Sequence, residues 1–295
     1  MKAYLDCIPC FFRQALDAAR MAGADEGTQK KILEGLCKLI PTIPLAASPP
    51  EIGRDIYRLV REISGSQDPF KGIKKKSNEL ALSLYDKLKQ RVNDSSDRLL
   101  TAVELAIAGN IIDYGAKNSL DVEQEIKKLF AEDVEIIKAE SKATFDYEKF
   151  KQSLARAKKI LYLADNAGEV VFDRILIEEL VGLGKQITYV VKEKAVINDA
   201  LAEDAVACGI DKYAQVVSNG SDAPGTVLKI CSSEFVRLFK GAEMIISKGQ
   251  GNFESLSDQD RPIFFLFKVK CPVVASDIKA KLGDIVLKSL QEVSA

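Results

Sequence analysis

The sequence predicts an α/β protein: a mostly parallel sheet covered by helices on both faces, preceded by an all-helical N-terminal part. Two patterns carry this. From Asp6 to about Lys128, apolar residues recur at spacings of three and four, and Pro and Gly fall between the segments. After Ser141, short β-rich runs alternate with amphipathic helices, the order that builds a parallel sheet with right-handed crossovers. A chain of 295 residues that is 47% hydrophobic and 29% charged has enough apolar material for a sizeable core, which excludes disorder as its main state. The expected boundaries are a helical domain over 1–140 and an α/β domain over 141–295.

In the first part, helices are expected over Pro9 to Ala22 and Glu26 to Leu39. Pro41 to Pro50 is a proline-rich connection, and Ser48-Pro49-Pro50-Glu51 has the form of a helix start, with proline tolerated in the first turn and an acid favouring the dipole. That helix runs through Tyr57 and Val60 and ends at Gly65-Ser66-Gln67-Asp68-Pro69. Further helices fit Lys74 to Val92 and Asp97 to Tyr114. In the second part the expected strands are Ile160 to Ala164, Ile187 to Val191, Met244 to Ser247, Ile263 to Phe267 and Val273 to Ser276. Glu169 to Val181 suits a helix covering the sheet, and another helical stretch is expected to begin near Val227.

The absence of histidine removes the commonest metal ligand, the usual general base and every Ser-His or Cys-His arrangement. Catalysis near neutral pH must rest on carboxylates, lysines, cysteines, amides or a bound ion. Lys+Arg 42 against Asp+Glu 43 lacks the basic excess of a dedicated nucleic-acid binder. Six scattered cysteines read as reduced thiols, and neither a signal peptide nor a membrane-length apolar span is present, so a soluble cytoplasmic protein is expected.

In open α/β sheets, ligands bind beyond the carboxyl ends of the strands. The first strand there meets Asp165-Asn166-Ala167-Gly168-Glu169, and the second leads to Lys192 and then Ile197-Asn198-Asp199. Asp165, Asn166 and Asp199 are the hard oxygen donors that divalent cations prefer; turn and cap formation is the structural alternative. Asn219, Gly220 and Ser221 open a polar loop that runs to Thr226 and forms either an anion cradle or a long turn. Lys248 at a strand end, followed by Gly249, can set a positive charge against phosphate. Neither GxxxxGK[ST] nor GxGxxG is present, and position 167 is alanine where a haloacid-type phosphatase requires an acid.

Together, Asp165-Asn166-Ala167-Gly168-Glu169, Ile197-Asn198-Asp199, Asn219-Gly220-Ser221 through Gly225-Thr226, and Lys248-Gly249-Gln250-Gly251-Asn252-Phe253-Glu254 resemble the DUF89, or damage-control phosphatase, family. Cys7-Ile8-Pro9-Cys10 with Arg13-Gln14, Ser48-Pro49-Pro50-Glu51, Asp68-Pro69 and Gly109-Asn110-Ile111-Ile112-Asp113 resemble its CxxC-bearing, largely prokaryotic subfamily. The resemblance implies a three-layer α/β/α domain with an attached helical region. It also implies a metal-dependent phosphatase acting on sugar phosphates, phosphopantetheine-like compounds or damaged nucleotides, with Mn, Ni, Co or Mg as the ion. Carried over by motif, the ion falls on Asp165, Asn166 and Asp199, with Asn198 a weaker candidate, and the phosphate lies near Lys248, Asn252 and Glu254.

Asp199, Glu169 and Glu254 are candidates for orienting water or relaying a proton, and Asn110 for lining the cleft between the two parts. Cys7 and Cys10 share a helix face and form either a buried, silent pair or a redox or second metal site, for which Cys37 is the nearest further sulfur in sequence. Two alternatives stand beside the phosphatase: an S-adenosylmethionine-dependent carboxyl methyltransferase, which the family resemblance also implies, and a non-catalytic metal- or nucleotide-binding module. The first would require a glycine-rich turn where Asp165-Asn166 stands.

Overall fold

The computed structural model describes residues 1–44, 46–109 and 144–290. Asn110, and the last turn of the helix expected to reach Tyr114, lie outside the described residues. Helices α1 (Cys7–Met21), α2 (Glu26–Leu39), α3 (Pro49–Ser64), α4 (Lys71–Asp94), α5 (Arg98–Ala108) and α6 (Tyr147–Arg156) precede the sheet. Pro49 and Pro50 occupy the first turn of α3, and Gly65 ends it in the left-handed conformation at φ 73°. Asp25 and Asp97 cap α2 and α5 by accepting from the backbone N–H of Thr28 and Leu100.

The sheet then follows as β1 (Lys159–Leu163), α7 (Glu169–Gly182), β2 (Gln186–Val191), α8 (Ala202–Ala207), β3 (Ala214–Ser218), α9 (Ser233–Gly241), β4 (Met244–Lys248), α10 (Gln250–Leu256), β5 (Ile263–Lys268), α11 (Pro272–Asp277) and β6 (Ile285–Ser289). The six strands lie in the order β3-β2-β1-β4-β5-β6, parallel except for β6, which pairs antiparallel with β5. This is the mostly parallel, doubly covered sheet that the sequence predicts.

Four elements differ from expectation. Val273 to Ser276 is helical, because Pro272 sits in the first turn of α11 and the short apolar run buries Val274 and Ala275 as one helix face. β3 and β6 are five-residue edge strands absent from the expected set; β3 is partly exposed along its length, whereas β6 buries Val286 and Leu287. Past Val227 there is only a 3-10 turn, Leu228–Ile230, and the helix begins at Ser233 with Ser232 as its cap.

Alternation along the strands builds two cores. Tyr162, Tyr189, Met244, Ile246, Phe264 and Leu266 face α7, whereas Leu161, Leu163, Ile245, Phe265 and Phe267 face α9, α10 and α11. Helices α4 and α5 pack on α7 and continue the first core through Ala81, Leu88, Val92, Val103 and Ile107. Helices α1, α2 and α3 close a third core around Phe11, Ile32, Leu36, Ile56 and Val60, into which Val196 also inserts. Among the described residues no helix is long and apolar enough to cross a membrane.

The α5–α7 crossing depends on Gly109, where an added Cβ would stand 2.9 Å from Cβ and Cγ of Phe172. Gly109→Ala is expected to destabilise the protein by about 1–3 kcal/mol through overpacking, read as a lower urea midpoint with an unchanged slope.

Candidate active site

From β1 the chain crosses to β2 on the α7 face, and from β4 it crosses to β5 on the α10 face, so strand order reverses at the β1–β4 pair and a crevice opens at their carboxyl ends. The segment leaving β2 folds back into this crevice. Ala200 N–H donates to Asp165 O and Ala167 N–H to Asn198 O, both at 2.8 Å, and between these two bonds Asn166 and Asp199 form an antiparallel bridge. In this non-hydrogen-bonded pairing opposed side chains stand closest, so Asn166 and Asp199 are neighbours because of the backbone itself. Asn78 of α4 fixes the same turn from the helical part: its Oδ1 accepts from Gly168 N–H at 2.7 Å and its Nδ2 donates to Asp204 at 2.7 Å.

Two glycines permit the close approach. At Gly249, φ is 82° and a Cβ would fall 2.1 Å from Cγ of Asp165. At Gly225, φ is 64° and a Cβ would fall 2.4 Å from Gly251 O. Both sites require a residue without a side chain in a left-handed backbone.

Beneath the crevice lies a buried charge network. Lys248 donates to Asp173 at 2.6 Å and to Glu169 at 3.2 Å; Tyr162 and Tyr189 donate to the two oxygens of Asp173, each at 2.8 Å. Asn166 Nδ2 donates to Glu169 at 2.9 Å and to Asp165 at 3.0 Å, which leaves its Oδ1 as the acceptor available to a ligand. Burial pulls the Lys248 ammonium down, but Asp173 and Glu169 outweigh it and hold Lys248 above its ordinary pKa. Lys192, also buried, donates to Gly225 O and lies 3.4 Å from Oδ2 of Asp199.

The crevice opens into a cavity of about 530 Å³. Asp165, Asn166, Asn198 and Asp199 line it, together with Gly225, Gln250, Glu254 and Lys270 from the other loops. The opposite wall comes from the helical part: Arg13, Gln14 and Asp17 of α1, and Gly53 and Tyr57 of α3. Arg54 and Arg61 of α3 both pair with Asp222, which ties that wall to the loop carrying Gly225.

The structure therefore brings Asp165, Asn166, Asp199 and Glu254 to one cavity and redirects other expected residues. Lys248 is 1% exposed and turned inward onto Asp173, outside the cavity lining. Glu169, 2% exposed, stands behind Asn166 outside the cavity lining. Asn252 is a strut that accepts from Thr226 Oγ1 and donates to Ala164 O and Lys248 O. Asn219 and Ser221 use their side-chain oxygens on the N–H groups of Ser221 and Ala223, and Gly220 is exposed, so this loop is a self-bonded turn and only Pro224 and Gly225 reach the cavity.

Cys7 is buried and Cys10 exposed, which corrects the reading of a buried pair; all six thiols are free. Burial raises the thiols of both, and Cys271, not Cys37, adds to the shift in each, so neither has the depressed pKa of an activated thiolate. Sequence reasoning assigned no site role to Asp17, Tyr57, Lys192 or Lys270. Lys192 follows a strand end and was open to the same topological rule as Asp199, whereas nothing local marks Asp17 or Tyr57.

The electrostatics suit a cation. Asp165 is held well above the ordinary carboxylate range, by burial first and then by the charges of Glu169 and Asp199. Burial likewise raises Asp199, to about 6, against the opposing pull of Lys192. Oδ2 of Asp199 is buried and faces the Lys192 ammonium 3.4 Å away. Crowded carboxylates beside an amide are a donor set that a hard divalent ion satisfies. Among the described residues no three Cys, Asp or Glu side chains are grouped to hold a metal ion, so an ion at Asp165 and Asp199 would need Asn166 and further oxygens to complete its shell.

The fold and crevice define an α/β protein with a polar, ion-compatible site at a topological switch point. The family model for the damage-control phosphatase ARMT1-like domain matches residues 3–286, and the chain belongs to that family. It is 37% identical over 290 residues to a damage-control phosphatase of Pyrococcus horikoshii, covering 97% of each chain, and 32% identical over 291 residues to a damage-control phosphatase of Archaeoglobus fulgidus, covering 97% of this chain and 98% of that one. A crystal structure of a DUF89 family protein from Pyrococcus horikoshii superposes with a TM-score of 0.86 at 34% identity, over 99% of this chain and 100% of that one.

Replacing Lys248 by methionine leaves Asp173 and Glu169 without their cation in a dry interior. The expected cost is about 3–5 kcal/mol of stability, measured by urea denaturation.

Proposed function

We propose that the protein is a cytoplasmic, metal-dependent phosphatase that hydrolyses small phosphorylated metabolites, such as sugar phosphates, phosphopantetheine-like compounds or damaged nucleotides, in metabolite damage control. The observation that carries this reading is the backbone-paired Asn166 and Asp199, beside Asp165, opening on a cavity that also presents Arg13 and Lys270. The printed names of the relatives and the family membership support the phosphatase class.

Asp165, Asn166 and Asp199 are the residues that would hold Mn, Ni, Co or Mg. When bound, such an ion polarises phosphoryl oxygens and offsets the charge that develops during transfer. Arg13 and Lys270, cationic and at the cavity, attract and orient the anionic ester. Lys192 restrains Asp199, and Glu169 restrains Asn166, so the donor atoms are set before a ligand arrives. Glu254 faces the same cavity, accepts from Gln250 at 2.8 Å, and is raised by burial to about 7. A carboxyl group protonated below that pH can deliver its proton to the departing alkoxide.

Metal-stripped protein is expected to release no phosphate from an aryl phosphate or from a panel of sugar and nucleotide phosphates until Mn, Co, Ni or Mg is added. Asp165→Ala and Asp199→Ala, folded by circular dichroism, are expected to lose at least about a thousandfold in kcat, the scale of a lost electrostatic centre. Ion binding without phosphate release in the wild type would contradict the phosphatase reading.

Turnover is expected to fall as pH rises through about 7, because Glu254 loses its proton there. Glu254→Gln flattens that limb in a pH–rate profile and leaves the low, high-pH rate throughout.

A further inference from the structure

Ile197 has a backbone that its side chain disfavours. Its φ is 46°, and Lys279 is the only other non-glycine residue with positive φ among the described residues. It stands at the second position of a turn closed by Asp199 N–H donating to Val196 O at 3.1 Å. Turns with positive φ at that position favour glycine, and a β-branched residue there is an outlier. Strain of this kind persists only where the surroundings over-determine it. Here they do: Arg61 donates to Ala195 O at 3.3 Å on one side, Ala167 N–H to Asn198 O at 2.8 Å on the other, and Val196 is locked in the α1–α3 core.

Glycine would satisfy the turn, so the strain is tied to what the side chain touches. Ile197 is half-buried against the α1–α3 core and lines the main cavity two residues from Asp199. Behind it lies a void of about 10 Å³, and Ile197, Tyr57 and Phe70 line both spaces, forming one apolar partition. The same cavity also presents polar groups, among them Gln14, Asp17 and Glu254. A ligand held by its phosphate near Asp165 and Asp199 thus has the apolar patch of Ile197 and Phe70 within the cavity that receives its organic group.

We propose that Ile197 determines specificity: its side chain is the floor against which the organic group of the ester lies, so the site selects phosphomonoesters whose alcohol presents an apolar ring face over small acyclic ones. This rests on the phosphatase reading of the site.

The test uses binding, so that it does not depend on turnover. With Mn present, calorimetry on the full chain compares phenylphosphonate with methylphosphonate. The wild type is expected to bind phenylphosphonate at least tenfold more tightly. Ile197→Gly keeps the backbone conformation, so methylphosphonate and Mn affinities should hold while the phenyl preference drops to twofold or less; Ile197→Ala should fall between. A wild type that binds both phosphonates equally, or an Ile197→Gly that keeps the preference, overturns the proposal alone. Equal weakening of both ligands and of Mn in Ile197→Gly also overturns it, since the residue would then position Asp199 instead of selecting the ester. Binding of neither phosphonate by the wild type overturns the phosphatase reading, and the proposal with it.

Discussion

The contact between Asp165 and Gly249 is the constraint from which the rest of the site follows. The carboxyl group of Asp165 fills the volume that any side chain at 249 would need, so the turns that follow β1 and β4 meet in direct contact. This proximity is possible only at the sheet's switch point, where the crossovers leave to opposite faces and no helix covers the gap. The returning segment after β2 then has a backbone edge to pair with, and the bridge between Asn166 and Asp199 follows from that edge.

A second requirement is charge balance under the crevice. Glu169 and Asp173 sit in the first turns of α7, close to two more acids, and burying such charges in a dry interior without a cation is strongly unfavourable. Lys248 supplies the positive charge from below and Lys192 from the side. The two tyrosines complete the coordination of Asp173, which makes the layer rigid. The cavity face can therefore be acidic and remain ordered, because its compensation lies on the inner side.

Much of this was legible in the chain, and the failures have identifiable causes. β1, β2, β4, β5 and α2 follow from β-branched runs and helical periodicity, and the topological rule located Asp165, Asn166 and Asp199 at one edge. The composition around Lys248, a strand-end lysine beside glycines, points it toward the cavity. Its parity with Met244 and Ile246, both on the α7 face, directs it inward. The turn from Asn219 to Ala223 has the residue types of an anion cradle, but those same side chains satisfy their own backbone. The wall made by α1 and α3 could not be read at all, since its residues meet the sheet edge only through tertiary packing.

The cavity as a whole draws on distant parts of the chain. Arg13 and Asp17 belong to the first helix, whereas Glu254 and Lys270 follow β4 and β5. During synthesis, which proceeds from the N-terminus, the early helices can collapse on one another long before the acidic crevice has a partner strand. A nascent chain halted before Met244 would hold Asp165 with no Gly249 beside it and Glu169 with no lysine beneath it. The contact at Asp165 and the charge balance of Glu169 therefore both depend on residues that are synthesised late.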